Sequence, residues 1–386
     1  MQSSTAIEKK SVCFVHDWLV AMRGGEKVLE ALTEIFPDAP IYTLFFKKER
    51  ISNALQKKRI LHSFLQYFPG IHLYYRYLLP LFPLAIRFLN VRKFDLVIST
   101  SHCVAKAVRV HKDAVHICYC HTPMRYLWGF QEEYFGRFPK LVQHLIGFYL
   151  KWLRKWDIET SKRVDFFIAN SQNTANKIHQ LYHKSAKVIY PPVELPTPFA
   201  EENKDRGAKE ESYFLIVSAL VPYKRVDLAI EVFNELKRPL KIVGNGPLHS
   251  KLKRMIRFNG IKLEGWLDSK TLGEHYAHCR AVIFPGEEDF GIVPLEAQGY
   301  GKPIIAYGKG GVLETVLAAN DKRQARRSEE STGIFFYNQT KYDLLEIIHE
   351  FDQLKFEEAI IRSHARNFEP VHFKEQFSTL LKTLSR

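Results

Sequence analysis

Cysteine is scarce in this chain of 386 residues: there are five, an odd number without framework spacing. That excludes a disulfide-stapled scaffold and fits reduced thiols in a cytosol-like compartment. Acidic residues are outnumbered, 42 against 56 Lys plus Arg, for a formal net charge of +14. Such a balance bears on partners rather than on fold, and suits nucleic acid, an anionic membrane face or a polyphosphate ligand. Helix-turn-helix, zinc-finger and RRM signatures are absent, so nucleic acid is not expected as a partner. Long hydrophobic runs are missing too. The most apolar stretch, residues 74–89, is interrupted by Arg76, Pro80, Pro83 and Arg87. It is too short and broken to span a bilayer of about 30 Å, though it suits lying on one. The opening MQSSTAIEKK has no apolar signal core. The expected location is therefore cytoplasmic, with peripheral contact on the inner face of the cytoplasmic membrane.

What is present reads as α/β. Hydrophobic residues make up 46% and charged residues 25%, a globular balance. The length fits two domains of roughly 100–200 residues each. Candidate strands are Val12–Val15, Leu96–Ser99, Ala114–Cys120, Asp165–Ala169, Val188–Tyr190, Tyr213–Ser218, Leu240–Val243, Ala281–Phe284 and Pro303–Tyr307. Many are continuous apolar runs, the pattern of strands buried on both faces of a parallel sheet. Helical patterns intervene, among them Glu26–Ile35, Val226–Lys237 and Leu295–Gln298, so the chain predicts βαβ units. Residues 191–212 are rich in proline and charge and poor in large apolar side chains, the composition of a linker. The expected organisation is a first domain over 1–192, a linker over 193–211 and a second domain over 212–370. A C-terminal helix, 371–386, rejoins the first domain. A polar insert, Asn320–Thr332, with four Lys or Arg between Lys322 and Arg327, reads as a solvated loop.

The readable chemistry clusters at strand ends. The strand Ala281–Phe284 runs into Pro285-Gly286-Glu287-Glu288-Asp289-Phe290-Gly291-Ile292, and Glu296 follows about a turn into a helix. A helix N-terminus carries about +0.5 charge and free N–H groups, which favour a phosphate. Gly291 permits close backbone approach. Carboxylates at Glu288 and Glu296 suit sugar or ribose hydroxyls; an acidic first turn that complements the helix dipole accounts for them equally. Lys224 and Arg225 follow the strand Tyr213–Ser218, at the edge where open α/β sheets bind ligands. They suit a diphosphate, or stand as surface cations before a helix. Gly244-Asn245-Gly246 resembles the start of a dinucleotide fingerprint. His249 stands where the third glycine belongs, which disfavours a nicotinamide-dependent dehydrogenase or epimerase. Gly308-Lys309-Gly310-Gly311 is a further glycine turn on the same edge.

In the first domain, Gly24-Gly25 lies between a strand and a helix, open to a phosphate or a plain loop. His116, Cys118, Cys120 and His121 alternate along a strand rather than following zinc-site spacing. They read as strand residues leading to a loop histidine, and no metal site is expected. Lys47–Arg59 carries six cations and one anion, and residues 64–89 are dense in aromatics. That surface suits an anionic bilayer presenting a lipid-linked acceptor, or helices packed within the domain.

Several strings together resemble a known family. Glu288-x7-Glu296 with Phe290-Gly291, the Val221-Pro222-Tyr223-Lys224 loop, Gly244-x-Gly246-Pro247 and Gly301-Lys302-Pro303-Ile304-Ile305-Ala306 with Gly310-Gly311 are similar to retaining glycosyltransferases of family 4. These have the GT-B fold, two Rossmann-like α/β domains facing a central cleft. His16-Asp17-Trp18, Arg23-Gly24-Gly25-Glu26-Lys27-Val28, Cys118-Tyr119-Cys120-His121-Thr122-Pro123-Met124-Arg125-Tyr126 and Tyr190-Pro191-Pro192-Val193 resemble the GDP-mannose-dependent, WbaZ-like mannosyltransferases of O-antigen synthesis. The resemblance covers about residues 11–380. It implies hexosyl transfer from a nucleotide-sugar donor, GDP-mannose, to a saccharide or lipid-linked acceptor in surface polysaccharide synthesis. Configuration is retained and no metal cofactor is needed; the chain has no Asp-x-Asp. By the same resemblance His121, Glu288 and Lys224 are catalytic. Glu288 meets the donor sugar, Glu296 the ribose, the Phe290-Gly291 backbone the sugar hydroxyls, Lys224 the diphosphate, Gly24 and Gly25 the phosphates, and His121 faces the transferred sugar. Read from their positions rather than from the resemblance, Arg225 and Ile292 are taken as substrate-binding beside them, and Gly244 and Gly246 as a tight turn against the nucleotide or a plain turn. One departure stands out: the family's arginine five residues before the lysine is Ala219 here. A donor-binding protein of weakened or no activity is the alternative that Ala219 motivates.

Overall fold

The structure is a computed structural model that describes residues 10–129, 136, 138–196, 213–321 and 326–384. The centre of the expected linker, 197–212, and residues 322–325 of the polar insert lie outside the described residues. The chain divides into two compact units, one of residues 1–192 with 370–386 and one of 193–369.

The first unit holds a seven-stranded sheet: β1 (Val12–His16), β2 (Ile41–Thr43), β3 (Ile60–His62), β4 (Leu96–Ser101), β5 (Val115–Cys120), β6 (Phe166–Ala169) and β7 (Ala186–Val188). All pairs are parallel, in the order β3-β2-β1-β4-β5-β6-β7. The second holds six: β8 (Phe214–Val217), β9 (Leu240–Val243), β10 (Ile261–Gly265), β11 (Ala281–Phe284), β12 (Ile304–Tyr307) and β13 (Gly333–Phe336). These are again all parallel, in the order β10-β9-β8-β11-β12-β13. Each order reverses once, between β1 and β4 and between β8 and β11. Those are the switch points where doubly wound sheets open a crevice.

Side-chain alternation explains the apolar runs. Along β1, Cys13 and Val15 enter one buried cluster while Phe14 enters the other. Along β8, Phe214 and Ile216 face one layer and Leu215 the opposite one. Both faces are covered, so neither side of these strands can be polar. All five cysteines are buried and stand outside any disulfide; burial pushes the Cys118 and Cys279 thiols up to about 12, which makes them poor nucleophiles. The last expected strand of the first domain is shifted. β7 occupies 186–188 rather than 188–190, because the chain beyond Ile189 runs into Pro191-Pro192, which offer no N–H to a ladder.

The helices follow their caps and stripes. Helix α1 (Gly24–Ile35) opens where Glu26 Oε2 accepts the Arg23 N–H at 3.0 Å, half of a capping box. It buries Val28, Leu29 and Leu32. Helices α2 (Lys140–Ser161) and α3 (Gln172–Tyr182) close the other side of the unit. In the second unit α4 (Val226–Leu236) follows β8 and α5 (Ile292–Gly299) follows β11. The final helix, α6 (Pro370–Leu384), returns to the first unit: Phe373 lies 5.8 Å from Tyr119, centroid to centroid, and Lys374 pairs with Glu34 at 2.8 Å.

One buried ionic network fastens the first unit. Lys106, 2% exposed, sits in the loop after β4 and reaches Asp157 of α2 at Oδ1. Trp128 Nε1 and Tyr182 Oη donate to the other carboxylate oxygen at 2.8 and 2.7 Å. Every oxygen of this carboxylate is partnered, the condition under which a buried ion pair is tolerated. Removing one member strands a charge. Asp157→Ala should lower unfolding free energy by about 3–5 kcal/mol, and pairing it with Lys106→Met should recover much of that; chemical denaturation of the three variants reads the difference.

Burial also sets a pH dependence. The ring of His116 is enclosed in β5, bonded to Ser99 Oγ at 2.8 Å, and burial lowers its pKa from 6.5 to about 4. The folded chain therefore binds this proton less readily than the unfolded chain. Stability is complete above pH 6.5 and falls as pH drops toward 4, by about 3 kcal/mol from this group. His116→Gln should flatten the dependence in that window, measured as unfolding midpoints against pH.

Candidate functional site

In the second unit the carboxyl ends of β8, β9, β11 and β12 carry the residues singled out in the sequence. Pro222–Lys224 form a single 3₁₀ turn after β8, and Arg225 takes a left-handed φ of 51° before α4, its Nε 3.4 Å from Asp227. This turn places Lys224 against the loop after β11, where its ammonium pairs with the Glu288 carboxylate. The Lys224 Nζ also lies 5.5 Å from the Tyr223 ring and 5.8 Å from the Phe284 ring. The two side chains are 11% and 22% exposed, so the pair is sheltered yet reachable from solvent.

Gly291 caps α5 with a φ of +96°, a conformation that disfavours any side chain. The first-turn N–H groups of Ile292 and Val293 have no partner within the helix, whereas Pro294, next in line, has no N–H to offer. Phe290 is buried, 5.9 Å from Phe368, so this residue offers backbone rather than ring. Ile292 opens the helix, and Glu296 lies one turn on, its Oε2 accepting from Tyr276 Oη at 3.1 Å. Lys309, after β12, pairs with Glu287 at 3.1 Å, and Gly311 N donates to Glu288 O at 2.8 Å. The β12 loop thus braces the glutamate loop. Gly244 and Gly246 have a packing role: a Cβ on them would meet Ser218 O at 1.9 Å and Leu220 O at 2.4 Å. They let the β9 loop lie on the β8 loop. Glu288, Lys224, Gly291 and the α5 start are brought together; Arg225 is engaged by Asp227 beside them. Ala219 is exposed on the same β8 loop.

The first unit gathers a second constellation around its own switch point. His16 ends β1, His102 follows β4 and His121 follows β5. The His102 ring centroid lies 6.4 Å from those of both His16 and His121. Gly25, at the start of α1, sits over His121: a Cβ there would stand 3.3 Å from Nε2. Gly24 precedes it as the first residue of the helix. The His121 Nε2 is buried without a hydrogen-bond partner in the described structure. Burial holds the ring well below its ordinary pKa, with His102 and His16 adding to the effect. It is a neutral imidazole at pH 7, suited to a hydroxyl group.

Sequence reasoning gave no role to what supports this ring. Asp17, fully buried, accepts four backbone N–H groups, from His102, Cys103, Val104 and Ala105, at 2.7–2.9 Å. His102 Nδ1 lies 3.2 Å from the same carboxylate. His16 Nδ1 bonds Thr100 Oγ1 at 2.6 Å, and its Nε2 lies 3.9 Å from Glu26. Burial raises the Glu26 carboxyl, but the adjacent His16 ring, with a backbone N–H and His102, outweighs it and holds the group below its usual range. A polar pair closing a hydrophobic strand, His16-Asp17, is the sequence signal that could have marked this spot. Among the described residues no group of three or more His, Cys, Asp or Glu side chains is placed to hold a metal ion.

Two sequence models match the chain: "Glycosyltransferase Family 4" over residues 23–196 and "Glycosyl transferases group 1" over 199–354. The O-antigen chain mannosyltransferase C of Escherichia coli is 27% identical over 154 residues, 37% of this chain and 42% of that protein. The GDP-mannose-dependent alpha-(1-6)-phosphatidylinositol monomannoside mannosyltransferase of Mycolicibacterium smegmatis is 30% identical over 172 residues, 38% of this chain and 45% of that protein. The chain thus matches somewhat under half the length of these two relatives. Among solved structures, Anabaena HepE in complex with UDP superimposes with a TM-score of 0.66 at 17% identity, covering 96% of this chain and 100% of that one. With both matched regions falling on Rossmann-ordered sheets, the chain belongs to the family 4 glycosyltransferases, with the GT-B fold.

Proposed function

We propose that this chain transfers mannose from GDP-mannose to a saccharide or lipid-linked saccharide acceptor, with retention of configuration, in surface polysaccharide synthesis. The observation that carries the reading is the Lys224–Glu288 pair beside the Gly291-capped start of α5. A diphosphate is the ligand that such an ammonium and helix N-terminus favour together. On arrival it competes for Lys224 and leaves Glu288 free to accept a sugar hydroxyl, while Glu296 is assigned to the ribose. His121, Gly24 and Gly25 are assigned to the sugar and phosphate side in the first unit. The reading requires no metal ion. The mannosyl assignment is supported by the named functions of both mannosyltransferase relatives, and the guanine assignment by that of the Mycolicibacterium smegmatis enzyme. Cytoplasmic activity at the membrane face belongs to the same proposal.

Ala219 favours a second reading, a donor-binding protein with little transfer activity. Its position is exposed on the β8 loop, where the family pattern carries an arginine.

A thermal-shift screen tests the donor. GDP-mannose at a hundredfold excess over its dissociation constant should stabilise the protein by about 2.7 kcal/mol, and UDP-glucose and UDP-GlcNAc at equal concentration should not. Absence of any shift with every GDP compound, GDP-fucose included, removes the mannosyl assignment. Ala219→Arg should tighten GDP-mannose binding about tenfold or more by titration calorimetry; an unchanged or weaker affinity contradicts the account of that position.

A further inference from the structure

Helix α2 has three sectors. Its inner face buries Leu150 and Leu153 and packs Tyr149 and Trp156 into the core of the first unit. A second stripe does not face the core: Leu141, Leu145, Phe148 and Trp152 are 75%, 63%, 62% and 50% exposed. Their spacing of four, three and four residues places them within an arc of about 60° along about 16 Å of helix. On the same projection Lys140, His144, Lys151 and Lys155 fall along one flank of that stripe. Tyr149 Oη donates to Leu79 O at 3.3 Å, which ties α2 to the segment 75–88. There Tyr77 and Phe88 are exposed at 77% and 66%. Large contiguous apolar exposure of this kind is uncommon on a surface that meets only water.

The charge decides what covers it. No aspartate or glutamate occurs between Glu49 and Asp95, nor between residues 136 and 156. A second copy would present the same acid-free face, with no carboxylate for these cations. An anionic bilayer supplies both missing partners, acyl chains for the stripe and phosphate headgroups for the lysines. We propose that α2, with the adjoining 75–88 segment, is a docking face for an anionic lipid surface, the helix lying in the interface. Among the described residues no helix is long and apolar enough to cross a membrane, which is consistent with lying rather than spanning. In the basic segment singled out in the sequence, the Lys58 ammonium is held at 2.7 Å by the carbonyl of Pro37, while Lys57 and Arg59 are exposed. The inference deepens the membrane-face part of the proposed function and rests on exposure and charge within the first unit, independent of the donor site.

Co-sedimentation with phosphatidylcholine vesicles, with and without phosphatidylglycerol, tests it. The full chain should bind the anionic vesicles, be released by salt, and ignore pure phosphatidylcholine. Leu145→Glu with Phe148→Glu should lower the partition coefficient at least about tenfold. Lys151→Gln with Lys155→Gln should lower it by about fivefold per charge at low salt. Circular dichroism confirms that each variant is folded, and GDP titration reads the donor site separately. Unchanged vesicle binding in the Leu145/Phe148 variant, or no binding by the parent chain, overturns the proposal. So does a dimer in sedimentation equilibrium that Leu145→Glu splits while vesicle binding persists.

Discussion

Every strand in both sheets runs parallel to its neighbours, and the rest of the molecule follows from that constraint. A parallel sheet needs a crossover after each strand, and the crossovers cover both faces with apolar side chains. The interior of each sheet then has no place for reactive groups. Polar residues gather where strands end, and all carboxyl ends of one sheet open on the same edge. Residues distant in sequence become neighbours there. Lys224 and Glu288 are joined this way, as are His16, His102 and His121.

The two edges solve the electrostatic problem differently. In the first unit the buried anion is neutralised from within, because Asp17 takes up four backbone N–H groups of the loop after β4. That loop also carries Lys106, whose bond to Asp157 anchors it to α2. The result is a rigid floor on which His121 keeps an unpartnered nitrogen. In the second unit the ionic partners are left partly accessible. Lys224 and Glu288 satisfy each other within reach of solvent, and the helix start at Gly291 adds its own positive end beside them. A closed charge network holds shape, and an accessible one accepts a ligand.

Much of this was legible in the sequence, and the gaps have physical reasons. The long buried runs of β4, β5, β8, β11 and β12 stood out because strands covered on both faces read as unbroken apolar segments. β2 and β3 span three residues each, too few for any periodicity, and β3 follows a cationic stretch. β10 is an edge strand whose Lys262 and Glu264 face outward. β13, though fully buried, begins at a glycine after a polar insert. Among site residues, Glu288, Gly291 and Lys224 were readable because each follows a strong strand. His102 was not: it sits between a serine and a cysteine with no charge pattern, and only the fold sets it against Asp17. The glycines at 244 and 246 were visible as a turn, yet their reason, backbone packed on backbone, exists only in three dimensions. The exposed stripe of α2 looks in sequence like an ordinary amphipathic helix, since composition does not say which of two apolar faces the core takes.

The account turns on a nucleoside diphosphate engaging the ammonium after β8. Titration calorimetry of GDP into the parent chain and into Lys224→Met addresses it most directly. The account predicts micromolar-class binding whose affinity falls about tenfold to a hundredfold on loss of the ammonium, with the unfolding midpoint of the first unit unmoved. GDP binding to Lys224→Met as tightly as to the parent would contradict it.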